Sequence, residues 1–206
     1  MTDITKFVFK MVNVHRFAGK KLDCPYTIGE HSYRVACLSM FIVDQYNKEN
    51  PNNPICMETA LRKSLLHDLE ETVTGDIPSP VKKYGNLRNE LRLASECIME
   101  DMILKNSPQP ELYKKLWVED KEGVAGEVIK VSDKLEGLLV CYYEVKRGNK
   151  YLEKPFISHV QWFESNEGKE LLNKFSFAKN EYDKVKDYVT HKRESLLDKF
   201  VKRFFM

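Results

Sequence analysis

The stretch HDLEETVTGDIPSPVK, residues 67–82, is the part of the sequence that decides the fold, and it opens on two ionisable residues. It follows the apolar helical pairs Ala60-Leu61 and Leu65-Leu66, so His67 and Asp68 end a helix that should be largely buried. Burying adjacent ionisable side chains is costly unless a partner or a metal ion satisfies them. At a helix end an imidazole and a neighbouring carboxylate can converge on one ion. Taken alone, the dipeptide favours a surface pair at a fraying helix end.

Two further positions change that balance. His31 lies in the first turn of a predicted helix, which Thr27 and Glu30 begin with the spacing of a capping box. Asp133 lies in the middle of an otherwise apolar helix, where a lone carboxylate is expensive unless it is paired or binds a metal. Two imidazoles and two carboxylates form a mixed nitrogen and oxygen donor set. This set suits a divalent ion such as Mn, Fe, Co, Ni, Zn or Mg, and it differs from the thiolate set of a structural zinc site. Four protein ligands leave positions for water and substrate, as in a catalytic site.

Helical periodicity dominates the chain, and neither an alternating strand pattern nor an internal repeat is convincing. Helices are predicted at residues 4–13, 28–47, 57–67, 87–104, 110–118, 127–145 and, as one or two charged helices, 167–205. The first of them is expected to present one apolar face, made of Ile4, Phe7, Val8, Met11 and Val12. The sequence therefore predicts one all-α domain over residues 1–206.

Composition excludes several other classes of protein. The 33 basic and 31 acidic side chains give a net charge of +2, which argues against a duplex-binding protein but not against a pocket for a small anion. Five scattered cysteines without a CxxC pair indicate a reducing compartment, and Cys37, Cys97 and Cys141 are expected to act as small hydrophobes in helices. Neither a signal peptide nor a run of about 18 apolar residues is present. We expect a cytoplasmic protein without a membrane partner.

The order H…HD…D resembles the HD superfamily of metal-dependent phosphohydrolases. Residues 67–82, together with EHS at residues 30–32 and VSDKLEG at residues 131–137, closely resemble the bacterial 5′-deoxynucleotidases of that superfamily. The resemblance covers about residues 1–147 and implies a single HD-domain helical bundle, on which residues 148–206 pack as a helical extension. It also implies one divalent metal ion, bound by His31, His67, Asp68 and Asp133.

The same resemblance assigns roles to other residues. Glu71 matches a carboxylate that handles protons near the attacking water, and Asp76 matches a residue at the sugar that favours deoxyribose and assists catalysis. Arg16 matches an arginine that contacts the nucleotide. Phe17 stands where the family usually has tryptophan, so it can stack but lacks the indole N–H donor. Lys82 would help to balance phosphate charge, although it is equally well explained as part of a solvated turn.

The expected function is a metal-dependent 5′-deoxynucleotidase, commonly a homodimer in this family, which converts deoxyribonucleoside 5′-monophosphates to deoxynucleoside and phosphate. A dNTP triphosphohydrolase of the dATP type would use the same metal site. A phosphodiesterase is a third enzyme hypothesis, which the TGD-x-P-x-P string disfavours. A non-catalytic nucleotide-binding protein is the alternative from another class. His159 and His191, outside the motifs, are interpreted as structural or exposed.

Overall fold

A computed structural model describes residues 3–119, 122–186 and 188 of the chain. Within those ranges the regular structure is helical. The β-type pairing in the same ranges is an isolated antiparallel bridge between His15 and Thr27. The all-α prediction is confirmed. In the described part of the chain no helix is both long and apolar enough to cross a lipid bilayer.

The α-helices are α1 (Asp3–Lys10), α2 (Ile28–Glu49), α3 (Met57–Leu66), α4 (Glu71–Thr74), α5 (Leu87–Ile98), α6 (Pro110–Val118), α7 (Gly123–Lys146), α8 (Glu153–Glu164), α9 (Asn166–Lys174) and α10 (residues 176–186). Short 3₁₀ segments occupy Met11–Asn13, Val81–Lys83 and Lys150–Leu152, and a π-helical segment, Met99–Leu104, continues α5. Most predicted helices therefore exist, with ends shifted by a few residues.

The beginning of α2 follows from local side-chain chemistry. The Thr27 hydroxyl accepts a hydrogen bond from the Glu30 backbone N–H at 3.3 Å, and the Glu30 carboxylate accepts one from the Thr27 backbone N–H at 2.9 Å. Such a cap stabilises a helix by about 1 kcal/mol. The predicted capping box is confirmed, and it fixes the turn of α2 that carries His31.

Helix α7 lies at the centre of the larger apolar core and packs against α2, α3, α8 and α9. Three buried serines lie where α2, α3 and α7 meet: Ser64 donates to Ser39, and Ser39 donates to Ser132, each at 2.9 Å. Small side chains let the three helices approach closely, and the chain of hydroxyls satisfies their polar atoms. The helices that carry His31, the His67-Asp68 pair and Asp133 are thus held together beneath those side chains.

A second apolar cluster fixes the other side of the same region. It contains Ile28 and Leu69, which lie three residues before His31 and one residue after Asp68. Both side chains are almost completely buried. Because they anchor the backbone beside the motif residues, the polar side chains next to them have little freedom to reorient.

The C-terminal part of the chain contains a helix that the sequence did not predict. Helix α8 packs on α7 through Phe156, Val160 and Phe163, which follow helical spacing and are buried. Pro155 lies in its first turn, where proline is tolerated, although it masks the pattern. In its described part, the region predicted as one or two helices contains α9 and α10, while residues 187 and 189–206 lie outside the described residues.

Two expectations about buried faces are wrong. Val8 and Val12 are 50% and 62% exposed, whereas Phe7 and Met11 are buried. The buried stripe is narrow, so Val8 and Val12, which directly follow the buried Phe7 and Met11, face the solvent. Cys97 is exposed on the outer face of α5, while Cys141 is buried and Cys37 is partly buried.

Candidate functional site

Three of the four predicted metal ligands, His31, His67 and Asp133, form one cluster, and Asp68 lies against its two imidazoles. His31 lies in the first turn of α2, His67 and Asp68 directly follow α3, and Asp133 lies in the middle of α7. The Nε2 atoms of His31 and His67 are 3.2 Å apart, and Asp68 Oδ2 is 3.3 Å from each of them. Asp133 Oδ1 is 3.4 Å from His31 Nε2. Ligand atoms of His31, His67 and Asp133 all lie within 4.8 Å of one another.

The far side of each imidazole shows which nitrogen is available. His67 Nδ1 is 2.6 Å from the Ser64 carbonyl oxygen, and His31 Nδ1 is 3.0 Å from Glu136 Oε2. Since both neighbours are acceptors, a hydrogen on each Nδ1 is favoured, which leaves the two Nε2 atoms to share one cation, either a proton or a metal ion. Two facing lone pairs require a positive charge between them. Together with Asp68 and Asp133 they form a nitrogen and oxygen donor set that fits a divalent metal ion.

The electrostatics of the cluster favour positive charge. Burial and Arg16 would lower the pKa of His31, but hydrogen bonds to Asp133, Asp68 and Glu136 raise it well above its usual range. Whatever cation enters this position, whether a proton or a metal ion, is therefore stabilised. Metal binding at such a site competes with protons.

Asp68 and Asp133 are ionised in this arrangement. Burial alone would raise the pKa of both carboxyl groups, but neighbouring positive charges hold it well below its usual range. The main opposing charge is His67 for Asp68 and Lys134 for Asp133, with Arg16 contributing to each. Ionised carboxylates are the form that binds a metal.

Arg16 reaches into the middle of the acidic cluster. Its Nη1 is 2.9 Å from Asp68 Oδ2, 3.5 Å from Glu71 Oε2 and 3.9 Å from Asp76 Oδ1, and its Nη2 is 3.9 Å from Asp133 Oδ1. These four carboxylates raise the pKa of Arg16, although burial would lower it. The guanidinium is thus a fixed cation beside the candidate ligands, and its planar fork suits two oxygens of a phosphate.

Glu71 begins α4 and is buried on the same side of the cluster. Burial, reinforced by the negative charge of Asp68, raises the pKa of Glu71 to about 9. The protonated form of this carboxyl group is therefore favoured more than in a free glutamate. Lys82, whose Nζ is 3.8 Å from Glu71 Oε1, is a partly exposed cation at the margin of the site.

Asp76 is oriented by the backbone of Phe17. Gly75 has a φ of +75°, a value that turns the chain after α4 and that L side chains rarely adopt. The following Asp76 accepts a 2.8 Å hydrogen bond from the Phe17 N–H through Oδ2. Phe17 itself has a φ of +58° and is the non-glycine residue with positive φ in the described part of the chain. Such a conformation is costly and commonly occurs at functional sites.

The sequence predictions missed the buried residues around His31. Tyr26 donates a hydrogen bond to Glu136, and the same hydroxyl lies 3.1 Å from His31 Nδ1. Glu136 interrupts the apolar pattern of α7 three residues after Asp133, and a buried carboxylate needs a partner at either position. Glu136 therefore stands out in the sequence by the same interruption of an apolar helix as Asp133. No local signal marks Tyr26.

Solved structures with a similar fold include HD-domain phosphohydrolases. One from Listeria innocua superposes with a TM-score of 0.68 at 21% identity, covering 91% of this chain and 97% of that one. The protein PH0347 from Pyrococcus horikoshii gives a TM-score of 0.68 at 22% identity, covering 88% and 98%. The HD phosphohydrolase DatZ of cyanophage S-2L, solved with dA and one catalytic Zn²⁺ ion, gives 0.58 at 17% identity, covering 89% and 96%. The chain thus has the HD-domain fold.

A family model described as 5′-deoxynucleotidase YfbR-like matches residues 4–182. The chain belongs to this family, as its motifs indicated. A 5′-deoxynucleotidase from Shewanella oneidensis is 28% identical over 125 residues, which cover 59% of this chain and 64% of that protein. The 5′-deoxynucleotidase YfbR of Salmonella arizonae is 26% identical over 129 residues, covering 59% and 62%. The matched part of the chain spans less than two thirds of the length of these relatives.

Proposed function

We propose that this protein is a metal-dependent 5′-deoxynucleotidase, which hydrolyses deoxyribonucleoside 5′-monophosphates to deoxynucleoside and phosphate. The observation that carries the proposal is the convergence of two imidazole Nε2 atoms, 3.2 Å apart, with an ionised carboxylate 3.3 Å from both. Membership of the YfbR-like family supports the substrate class. We take residues 1–206 as one functional unit for this proposal.

His31, His67, Asp68 and Asp133 would hold one divalent ion, chosen from Co, Mn, Zn, Ni, Fe and Mg. Such an ion, when bound, lowers the pKa of a coordinated water and polarises a phosphoryl oxygen. The catalytic Zn²⁺ of cyanophage DatZ, which shares the fold, supports a site of this kind. The donor set of two imidazoles and two carboxylates agrees with it.

Arg16 and Lys82 would bind the phosphate, and Glu71 would move a proton. The Arg16 guanidinium, held among four carboxylates, can donate to two non-bridging oxygens at once. Lys82 adds a second cation 3.8 Å from Glu71. A water oxygen bonds to phosphorus and gives up a proton as the bond between phosphorus and the sugar 5′-oxygen breaks, and the leaving oxygen takes up a proton. Glu71 lies between both cations and is placed to deliver it.

Asp76 and Phe17 would bind the deoxyribose. The Phe17 N–H holds one Asp76 oxygen at 2.8 Å, so this carboxylate cannot rotate freely to accept an extra 2′-hydroxyl group. The Phe17 ring packs against Tyr26 at a centroid distance of 6.2 Å and offers an apolar surface to the nucleoside. A carboxylate fixed in this way favours deoxyribonucleotides over ribonucleotides.

The test is a panel of dNMPs, NMPs and dNTPs, incubated with Mn²⁺, Co²⁺, Mg²⁺ or Zn²⁺ in turn, with inorganic phosphate and nucleoside measured. We expect phosphate release from dNMPs, little from NMPs, and a loss of this selectivity in Asp76→Ala. Nucleotide binding without cleavage under any metal would contradict the proposal and identify a non-catalytic nucleotide-binding protein.

A dNTP triphosphohydrolase is a second candidate, and one observation favours it. A pocket of about 410 Å³ lies beside the site and is lined by Lys82, Gly85, Asn86, Arg88 and Asn89. Its two cations and two amides suit additional phosphate groups, and Lys82 belongs to both the pocket and the site. Release of triphosphate from dNTPs, with dNMPs left intact, would favour this candidate over the first.

We also propose that the protein acts as a homodimer in the cytoplasm, since the nucleotidases that it resembles are commonly dimers. The test of the oligomeric state is size-exclusion chromatography with light scattering. A mass twice that of the 24.2 kDa chain is expected, and a single-chain mass at micromolar concentration would contradict the dimer.

A further inference from the structure

Glu136 is a buried carboxylate that the motif residues do not account for. It lies on α7 three residues after Asp133 and is 2% exposed. An ionised carboxylate buried in such a place is destabilising unless donors satisfy its oxygens. The partners of Glu136 therefore indicate what the residue does.

Both oxygens of Glu136 face donors that converge from α2 and from the residue that precedes its cap. His31 Nδ1 is 3.0 Å from Oε2, and the Tyr26 hydroxyl donates to Oε1. Arg34 Nη1 lies 3.7 Å from Oε1, and its guanidinium covers the Tyr26 ring at 4.9 Å. A carboxylate has no hydrogen to donate, so the Tyr26 hydroxyl is the donor in this bond.

This arrangement makes His31 different from His67. The Nδ1 atom of His67 faces a neutral backbone carbonyl, that of Ser64, whereas Nδ1 of His31 faces a carboxylate. A carboxylate acceptor fixes the hydrogen on Nδ1, orients the ring, and increases the electron density at Nε2. The result is an imidazole whose lone pair points at His67, Asp68 and Asp133 with little freedom to turn away.

We propose that Glu136 is a positioning residue that acts through His31 to set the affinity of the site for its divalent ion, with Tyr26 and Arg34 holding the Glu136 carboxylate. This inference rests on the proposed function, because it takes His31 as a metal ligand. It assigns Glu136 no contact with the substrate.

The first experiment compares metal affinity in the wild-type chain and in Glu136→Gln, using Zn²⁺ or Co²⁺ in competition with a chromophoric chelator. Glutamine has the same shape as glutamate, but its amide can donate a hydrogen bond to His31 Nδ1. The imidazole hydrogen then moves to Nε2, and that atom can no longer bind the metal ion. We expect the affinity to fall 10- to 100-fold. Tyr26→Phe, which removes one donor to Glu136 and leaves the carboxylate, should lower it less.

Glu144→Gln is the matched control. Glu144 is another buried carboxylate on α7, but its partners are the Asp23 N–H at 3.1 Å and the Asn149 side chain at 2.6 Å. Its substitution should leave metal affinity within about twofold of wild type. A 10-fold loss in this control would show that any buried charge change on α7 weakens the site, and it would overturn the specific role of Glu136.

The outcomes separate the inference from the proposed function. If the wild-type chain binds no divalent ion, the proposed metal site fails. If wild type binds and a folded Glu136→Gln binds equally well, the role of Glu136 is overturned. Should Glu136→Gln not fold, Tyr26→Phe decides: a lowered affinity for Zn²⁺ supports the inference, and a folded Tyr26→Phe with wild-type affinity overturns it.

Discussion

Gly137→Ala should destabilise the protein, although alanine is the better helix former. An added Cβ at Gly137 would lie 2.5 Å from Cε1 and 2.8 Å from Nε2 of His159, whose ring packs on this turn of α7. Helix propensity favours alanine by about 1 kcal/mol. Overpacking of this kind costs about 1–3 kcal/mol. We therefore expect the free energy of unfolding to fall by roughly 1 kcal/mol in the single variant.

A double-mutant cycle with His159→Ala isolates the clash between the added Cβ and the His159 ring. Once the ring is removed, the same Gly137→Ala change should stabilise α7 by about 1 kcal/mol, so the two backgrounds should differ by roughly 2 kcal/mol. Urea unfolding of the four proteins under one buffer provides the four free energies. Equal effects of Gly137→Ala in both backgrounds would refute the packing of His159 on Gly137.

Three other predictions concern the fold and the site. Gly168→Ala should lower the free energy of unfolding by more than about 3 kcal/mol, because its Cβ would clash with the Trp162 carbonyl and the Phe163 backbone; an unchanged urea midpoint contradicts this. Burial lowers the pKa of His159 from 6.5 to about 4, so the unfolded chain binds more protons between these values. Stability should therefore fall as pH falls through that window, by up to roughly 3 kcal/mol from this partly buried residue, and His159→Ala should reduce the slope. Arg16→Lys should lower kcat/KM for dNMPs about 10- to 100-fold, since a lysine cannot donate to two phosphate oxygens through a planar fork; a value within threefold of wild type would argue against phosphate binding by Arg16.

Local chemistry explains what the sequence predicted well. The capping box of α2 depends on Thr27 and Glu30, which are three residues apart, so its spacing is visible in the sequence. The need of Asp133 for a partner is visible in the same way, since an ionisable residue interrupts a long apolar pattern. Predictions of this kind succeed because the partner, or the need for one, lies within a few helical turns.

Features that depend on distant contacts were not predictable. Glu136 meets Tyr26 and His31 across 110 and 105 residues, and only the fold brings them together. The hydrogen bond from the Phe17 N–H to Asp76 joins positions 59 residues apart, at a residue that has a positive φ. Helix α8 was missed because Pro155 and several polar residues hide an apolar stripe that α7 covers.

The central claim is that the four motif side chains bind one divalent ion on which phosphate release depends. The most direct test is phosphate release from the preferred dNMP by metal-stripped protein, with a divalent ion added back, for wild type and Asp68→Ala. We predict no release after stripping, full recovery in wild type, and at least a 100-fold lower rate in Asp68→Ala at saturating metal. Undiminished release by stripped wild type, or by Asp68→Ala, would contradict the account.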